Sequence, residues 1–94
     1  MRFEWDPAKS ARNREERGID FLGASAVFED PHRIELPDER RDYGETRIKV
    51  IGMIADRIVL AVVYTDRGGI NRVISARRTN RRVRQIDDQG KTAI

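Results

Sequence analysis

The stretch Ile58-Val59-Leu60-Ala61-Val62-Val63-Tyr64 runs apolar without alternation. A strand with one wet face alternates, and one covered on both faces does not, so this stretch predicts the central strand of a sheet. Thr65-Asp66-Arg67-Gly68-Gly69 follows, and then Arg72-Val73-Ile74-Ser75-Ala76-Arg77-Arg78. Two glycines between such runs predict a hairpin. That hairpin carries fixed arginines to one edge of the domain. Planar, permanently charged guanidinium groups on a rigid element suit an anionic ligand, above all a nucleic-acid backbone.

A chain of 94 residues has room for one modest core, burying somewhat over roughly 60% of its unfolded surface. A single domain over residues 1–90 is expected, with 91–94 a frayed tail. Hydrophobic residues at 38% supply the core, and charged residues at 37% the surface. The formal net charge of +3 conceals 19 basic and 16 acidic residues, so their distribution matters more than their sum. Lysine occurs only at Lys9, Lys49 and Lys91. The arginine excess suits bidentate contacts, although a G+C-rich genome produces the same excess through its codons. The lack of cysteine excludes disulfides, thiolate catalysis and thiolate metal sites, and agrees with a reducing cytoplasm. No stretch approaches the roughly 18 apolar residues that span a membrane, and the N-terminus lacks a targeting pattern.

Along the chain, Arg2-Phe3-Glu4-Trp5 alternates polar with aromatic and predicts a short strand with Phe3 and Trp5 on one face. Asp6-Pro7 then starts a helix, because the carboxylate accepts free backbone N–H groups and proline at the first position has none to lose. Gly18 stops it, leaving Lys9, Asn13 and Glu16 or Arg17 along one surface stripe. A second, inward-packing helix begins at Asp20 and ends at Asp30-Pro31. Arg33-Ile34-Glu35-Leu36 is an expected edge strand, followed by a loop to Gly44. In the strand from Thr46, Ile48, Val50 and Ile54 form the inward set, with Arg47 and Lys49 on the other face. Strict alternation after the glycines puts Arg77 on the face opposite Arg72. Thr79-Asn80 is expected to begin a last helix, Arg81 to Asp88, closed by Gly90. The fold class is therefore α+β: a short strand, two helices, an antiparallel sheet of three to four strands and a C-terminal helix.

At this point the residues are similar to a known family. Phe3-Glu4-Trp5-Asp6, Lys9, Asn13, Gly18-Ile19-Asp20-Phe21, Ala26-Val27-Phe28-Glu29-Asp30-Pro31, Val62-Val63-Tyr64-Thr65-Asp66-Arg67 and Arg72-Val73-Ile74-Ser75-Ala76-Arg77 resemble, in order and spacing, the BrnT family of bacterial toxins. The resemblance runs from Phe3 to about Arg84. It implies a RelE-like fold, a metal-independent ribonuclease that inhibits translation, and neutralisation by a BrnA-like antitoxin. That antitoxin is of the ribbon-helix-helix type, so operator DNA is reached only through it. The chain also departs from the family pattern. Glu16 and Arg17 stand where the family shows Lys-His, and Thr79, Val83-Arg84 and Asp87 meet a pattern that ends in Glu-Arg and a later tyrosine. These departures open a second reading, a chain that keeps fold and partner, has lost catalysis, and serves in a repressor complex.

Metal-free RNA cleavage uses the 2′-hydroxyl as nucleophile and needs a base, an acid, and cations for the charge that develops on phosphorus. Arg77 leads the candidates for the cations, with Arg47 and Lys49 on a nearby strand. Arg72, Arg78 and Arg81 are further candidates for holding RNA phosphates. Among Glu45, Glu16, Tyr43, Tyr64 and His32 the sequence does not choose the proton carriers, and Glu45 and Tyr64 are carried forward. Each has a plainer role. Tyr64 ends a buried strand, where a core tyrosine with a satisfied hydroxyl is the commoner outcome. His32 follows a helix exit and serves there as a cap or a solvated side chain. With one histidine and no cysteine, a metal site needs carboxylates, and Asp38, Glu39, Asp42 and Glu45 read as a solvated loop. No metal and no cofactor is expected.

Overall fold

In the computed structural model, residues 2–38, 44–55 and 57–79 are described. The expected last helix, Arg81 to Asp88 with Val83, Arg84 and Asp87, the closing Gly90 and the tail from Lys91 lie outside the described residues, as does Tyr43.

The elements in chain order are β1 (Arg2–Glu4), α1 (Pro7–Arg17), α2 (Phe21–Ala24) with a 3-10 turn (Ser25–Glu29), β2 (Ile34–Pro37), β3 (Ile48–Met53), β4 (Val59–Arg67) and β5 (Ile70–Thr79). Local chemistry sets the helix ends where the sequence predicts them. Asp6 accepts from the Ala8 N–H at 2.9 Å, and Gly18 closes α1 in the left-handed region at φ 77°, which costs a residue without Cβ little. Asp20 caps α2 by accepting from Gly23 N–H at 2.7 Å. Asp30 ends the 3-10 turn and ties it to the sheet: its carboxylate accepts from the His32 N–H at 2.9 Å and from the Met53 N–H at 2.8 Å.

The strand order is β1-β5-β4-β3-β2. β4 is central, and its burial is complete from Val59 to Thr65. On one face Leu60, Val62 and Tyr64 join Val50, Val73 and Ala76 beneath Phe21, Ala24, Val27 and Phe28 of the helical layer. On the other, Val59 and Ala61 pack with Ile51 and Met53. The unalternating sequence of this strand follows from that double covering. Gly68 and Gly69, both at positive φ (63° and 86°), form the two-residue turn that joins Arg67 to Ile70, a geometry that matches strand twist and excludes most side chains.

The expected second helix is α-helical only over Phe21–Ala24 before tightening into the 3-10 turn, and Thr79 ends β5 opposite Val59 where a last helix was expected to begin; two larger features also differ from the sequence expectation. The sheet has five strands and is mixed, because β1 pairs in parallel with β5, Phe3 opposite Asn71. A three-residue strand has no neighbour in sequence to pair with, and the open edge of β5 supplies one. Phe3 then reaches the core, its ring 4.9 Å from that of Phe28. The second difference is a register shift in β5. Val63 pairs with Ser75 but Tyr64 with Val73, so Ile74 is an extra residue in a bulge. A bulge resets the alternation. Arg72, opposite Thr65, and Arg77, opposite Ala61, therefore share one face, whereas strict alternation separates them.

Candidate functional site

Helix α1 leaves β1 and runs beside the part of β5 that β1 does not reach. Two polar side chains on its inner side hold it there. Ser10 Oγ accepts from the Phe21 N–H at 2.9 Å, and Asn13 Nδ2 donates to the Ile19 carbonyl at 2.7 Å. Both are buried. Asn13 thus satisfies a backbone carbonyl in the α1–α2 corner, a group that is costly to bury unpaired.

With α1 fixed, its next stripe faces a cavity of about 360 Å³, lined from the helix by Lys9, Arg12, Asn13, Glu16 and Arg17 and from elsewhere by Phe21, Asp38, Arg47, Val63, Ile74 and Ser75. Val63 and Ser75 are direct partners across β4 and β5. Arg47 and Asp38 come from the far side, joined by the Asp38 N–H donating to the Arg47 carbonyl at 2.8 Å. The lining therefore carries four cations, Lys9, Arg12, Arg17 and Arg47, against two carboxylates, Glu16 and Asp38. Partial enclosure strengthens that field relative to open solvent. Arg17 also donates to the Ala76 carbonyl at 3.3 Å.

The sequence candidates fall into three groups. Arg47 lines the cavity and is braced by Glu45, Nη2 to Oε1 3.5 Å. Glu45 also meets Arg67 at 3.4 Å, so this carboxylate is held between two guanidinium groups and does not itself line the cavity. A second group shares the sheet face of Val63 and Ser75 without lining the cavity. Lys49 pairs with Val63, Arg77 with Ala61 and Arg72 with Thr65. Arg77 is exposed, and Arg72 is ion-paired with Glu4 at 3.6 Å.

The third group lies elsewhere. Arg78 pairs with Leu60 on the helical face, its guanidinium 3.7 Å from where a Cβ on Gly18 would stand, close to the electronegative end of α1. His32 is exposed in the turn before β2. Tyr64 belongs to the helical face, its ring edge-on to Phe28 at 4.9 Å and its hydroxyl donating to Glu35 Oε1 at 2.6 Å. Glu35 in turn pairs with Arg33 at 3.1 Å. Arg81 lies outside the described residues. Arg12 and Ser75 were not singled out by the sequence, and Asp38, expected in a solvated loop, is buried beside Arg47. Arg12 was open to detection, three residues after Lys9 on the same helical stripe; Asp38 and Ser75 join the site only through strand pairing.

Burial, and next the hydrogen bond and charge of Glu35, raise the Tyr64 pKa well above its ordinary value near 10. The folded chain therefore keeps a proton that the unfolded chain loses, and stability falls as pH rises above the ordinary value. Melting temperature should drop more steeply between about pH 10 and 11.5 for the wild type than for Tyr64→Phe. Equal slopes would show that Tyr64 does not carry this dependence.

Among curated proteins no match is found. A search of solved structures finds the ribonuclease toxin BrnT of Brucella abortus, 24% identical, covering 86% of this chain and 99% of that one at a TM-score of 0.67. That likeness establishes the α+β fold with its five-stranded mixed sheet and helices. A family model described as "Ribonuclease toxin, BrnT, of type II toxin-antitoxin system" matches residues 5–82, which span the whole helical layer and strands β2 to β5. The chain belongs to the BrnT family of type II toxin-antitoxin systems.

Proposed function

We propose that this chain is a ribonuclease toxin that cleaves RNA without a metal ion, inhibits translation in the cytoplasm, and is neutralised by a BrnA-like ribbon-helix-helix antitoxin through which alone the pair contacts operator DNA. The observation that carries the reading is the cavity, where Lys9, Arg12, Arg17 and Arg47 converge beside the paired Val63 and Ser75. An RNA phosphate seated there meets cations from a helix and from the segment leading into β3 at once, and the phosphorane's added negative charge gains more from them than the starting phosphodiester does. Lys49 and Arg77, on the sheet face that carries Val63 and Ser75, extend the positive surface along the RNA backbone.

One observation favours the second reading, a family member that binds its partner without cutting. Glu16 places a negative charge inside the cavity where the phosphate is to sit. Expression and cleavage separate the two. Induced expression of the toxin should arrest bacterial growth, and the purified chain should cleave a synthetic single-stranded RNA in the presence of EDTA, leaving 2′,3′-cyclic phosphate ends. Healthy growth at high levels of folded protein, with intact RNA in the tube, would leave only the binding role. Co-expression with the neighbouring gene should restore growth and yield a complex.

A further inference from the structure

Attack by a 2′-hydroxyl requires a base within reach of the phosphate, and the structure narrows the choice. Glu45 is held between Arg47 and Arg67. Tyr64 does not line the cavity, and its hydroxyl is committed to Glu35. Asp38 lines the cavity but is 8% exposed and engaged in interactions of its own. Glu16 differs from all three. It is exposed, it lines the cavity, and among the described residues its carboxylate makes no hydrogen bond or ion pair.

A second observation concerns the helix. Glu16 stands in the last turn of α1, between Arg14 and Arg17, where the macrodipole disfavours a carboxylate. Helix stability therefore does not account for it. The resemblance drawn from the sequence implies lysine at this place, and a lysine ammonium has no lone pair with which to take a proton.

We propose that Glu16 is the general base of RNA cleavage in this chain, an inference that rests on the ribonuclease reading above. Its carboxylate takes the proton of the 2′-hydroxyl as that oxygen bonds to phosphorus. The phosphorus–O5′ bond breaks, its electron pair goes to O5′, and O5′ takes a proton from solvent water. The products are a 2′,3′-cyclic phosphate and a 5′-hydroxyl. Arg47 and the helix cations carry the charge of the phosphorane between these events. The phosphate-binding cations and the base are thus supplied by neighbouring positions on one helix, Arg12, Glu16 and Arg17, with Arg47 facing them.

The test is a single-turnover cleavage assay on a synthetic single-stranded RNA, run across pH. Glu16→Gln should slow cleavage by about 100-fold or more, abolish the acidic limb of the wild-type pH–rate profile, leave the melting temperature unchanged or slightly raised, and bind RNA as tightly as the wild type or tighter. Glu16→Asp should recover part of the rate and the acidic limb. Glu16→Lys, the residue implied by the resemblance, should be as slow as Glu16→Gln. The assignment is overturned if Glu16→Gln stays within about threefold of the wild type with its pH profile intact, or if Glu16→Lys cleaves faster than the wild type. A wild type that neither cleaves RNA nor arrests growth overturns the ribonuclease reading itself, and the base assignment with it.

Discussion

Replacing Arg47 with alanine is expected to lower RNA cleavage by about 100- to 1,000-fold, the usual cost of removing one preorganised donor from a site of developing charge. Arg47 is the cavity cation most firmly held. Its side chain is 21% exposed and braced by Glu45, and its backbone carbonyl is fixed by Asp38. A cation that needs no reorganisation when charge appears on phosphorus is worth more than one that swings in from solvent. The variant should still fold, since Glu45 keeps Arg67 as a partner. Arg47→Lys should recover little, because an ammonium cannot reproduce a planar, bidentate contact. Arg77→Ala should cost less than about tenfold, as exposed ion contacts are worth under about 1 kcal/mol. Measured kcat/KM on one RNA ranks the three. If Arg77→Ala proves as damaging as Arg47→Ala, the reacting phosphate lies over the end of β5 and not in the cavity.

Phe21→Ala should reduce folding stability by about 3–5 kcal/mol, a large share of the roughly 5–15 kcal/mol available to a small domain. The ring is 1% exposed and packs in the cluster that joins the helical layer to β3, β4 and β5. Its backbone is just as constrained. The Phe21 N–H donates to Ser10, and the preceding Asp20 caps α2, so few rearrangements are open to fill the void. For a chain of this size the loss corresponds to a melting temperature lower by on the order of 15–30 °C. Urea denaturation of the wild type, Phe21→Leu and Phe21→Ala measures it. A loss below about 1 kcal/mol for the alanine variant would place Phe21 outside the core. Because the same ring also lines the cavity, the destabilised variant should lose cleavage too, and Phe21→Leu should keep most of it if the ring acts only by packing.

What was legible in the sequence was local. Asp6-Pro7, Gly18, Asp20 and Gly68-Gly69 act through their own backbones within a few residues, so the helix ends and the hairpin turn followed from residue chemistry. The apolar run of β4 was legible for the same reason, since lack of alternation has one straightforward meaning in a sheet. The family motifs located Lys9, Asn13, Gly18 and Phe21 but left their roles open. Asn13 proves to hold the Ile19 carbonyl, while Lys9 on the next stripe faces the cavity.

The ranking of the arginines was not legible, because one extra residue decides it. The Ile74 bulge turns Ser75 and Arg77 to the face of Arg72 and sends Arg78 to the other, and a bulge leaves no mark on an alternating pattern that either register satisfies. Nor does the sequence show that a three-residue strand pairs in parallel with the last strand, since the partner is chosen by an open edge far along the chain. By itself the sequence determined the central strand, the hairpin turn, the starts of both helices, the end of α1 and the supply of arginine. Only the tertiary structure decided which arginines meet. Helix α1 docks where β1 stops, and that placement brings Lys9, Arg12, Glu16 and Arg17 against Arg47, from the segment leading into β3, at least 30 residues away in the chain.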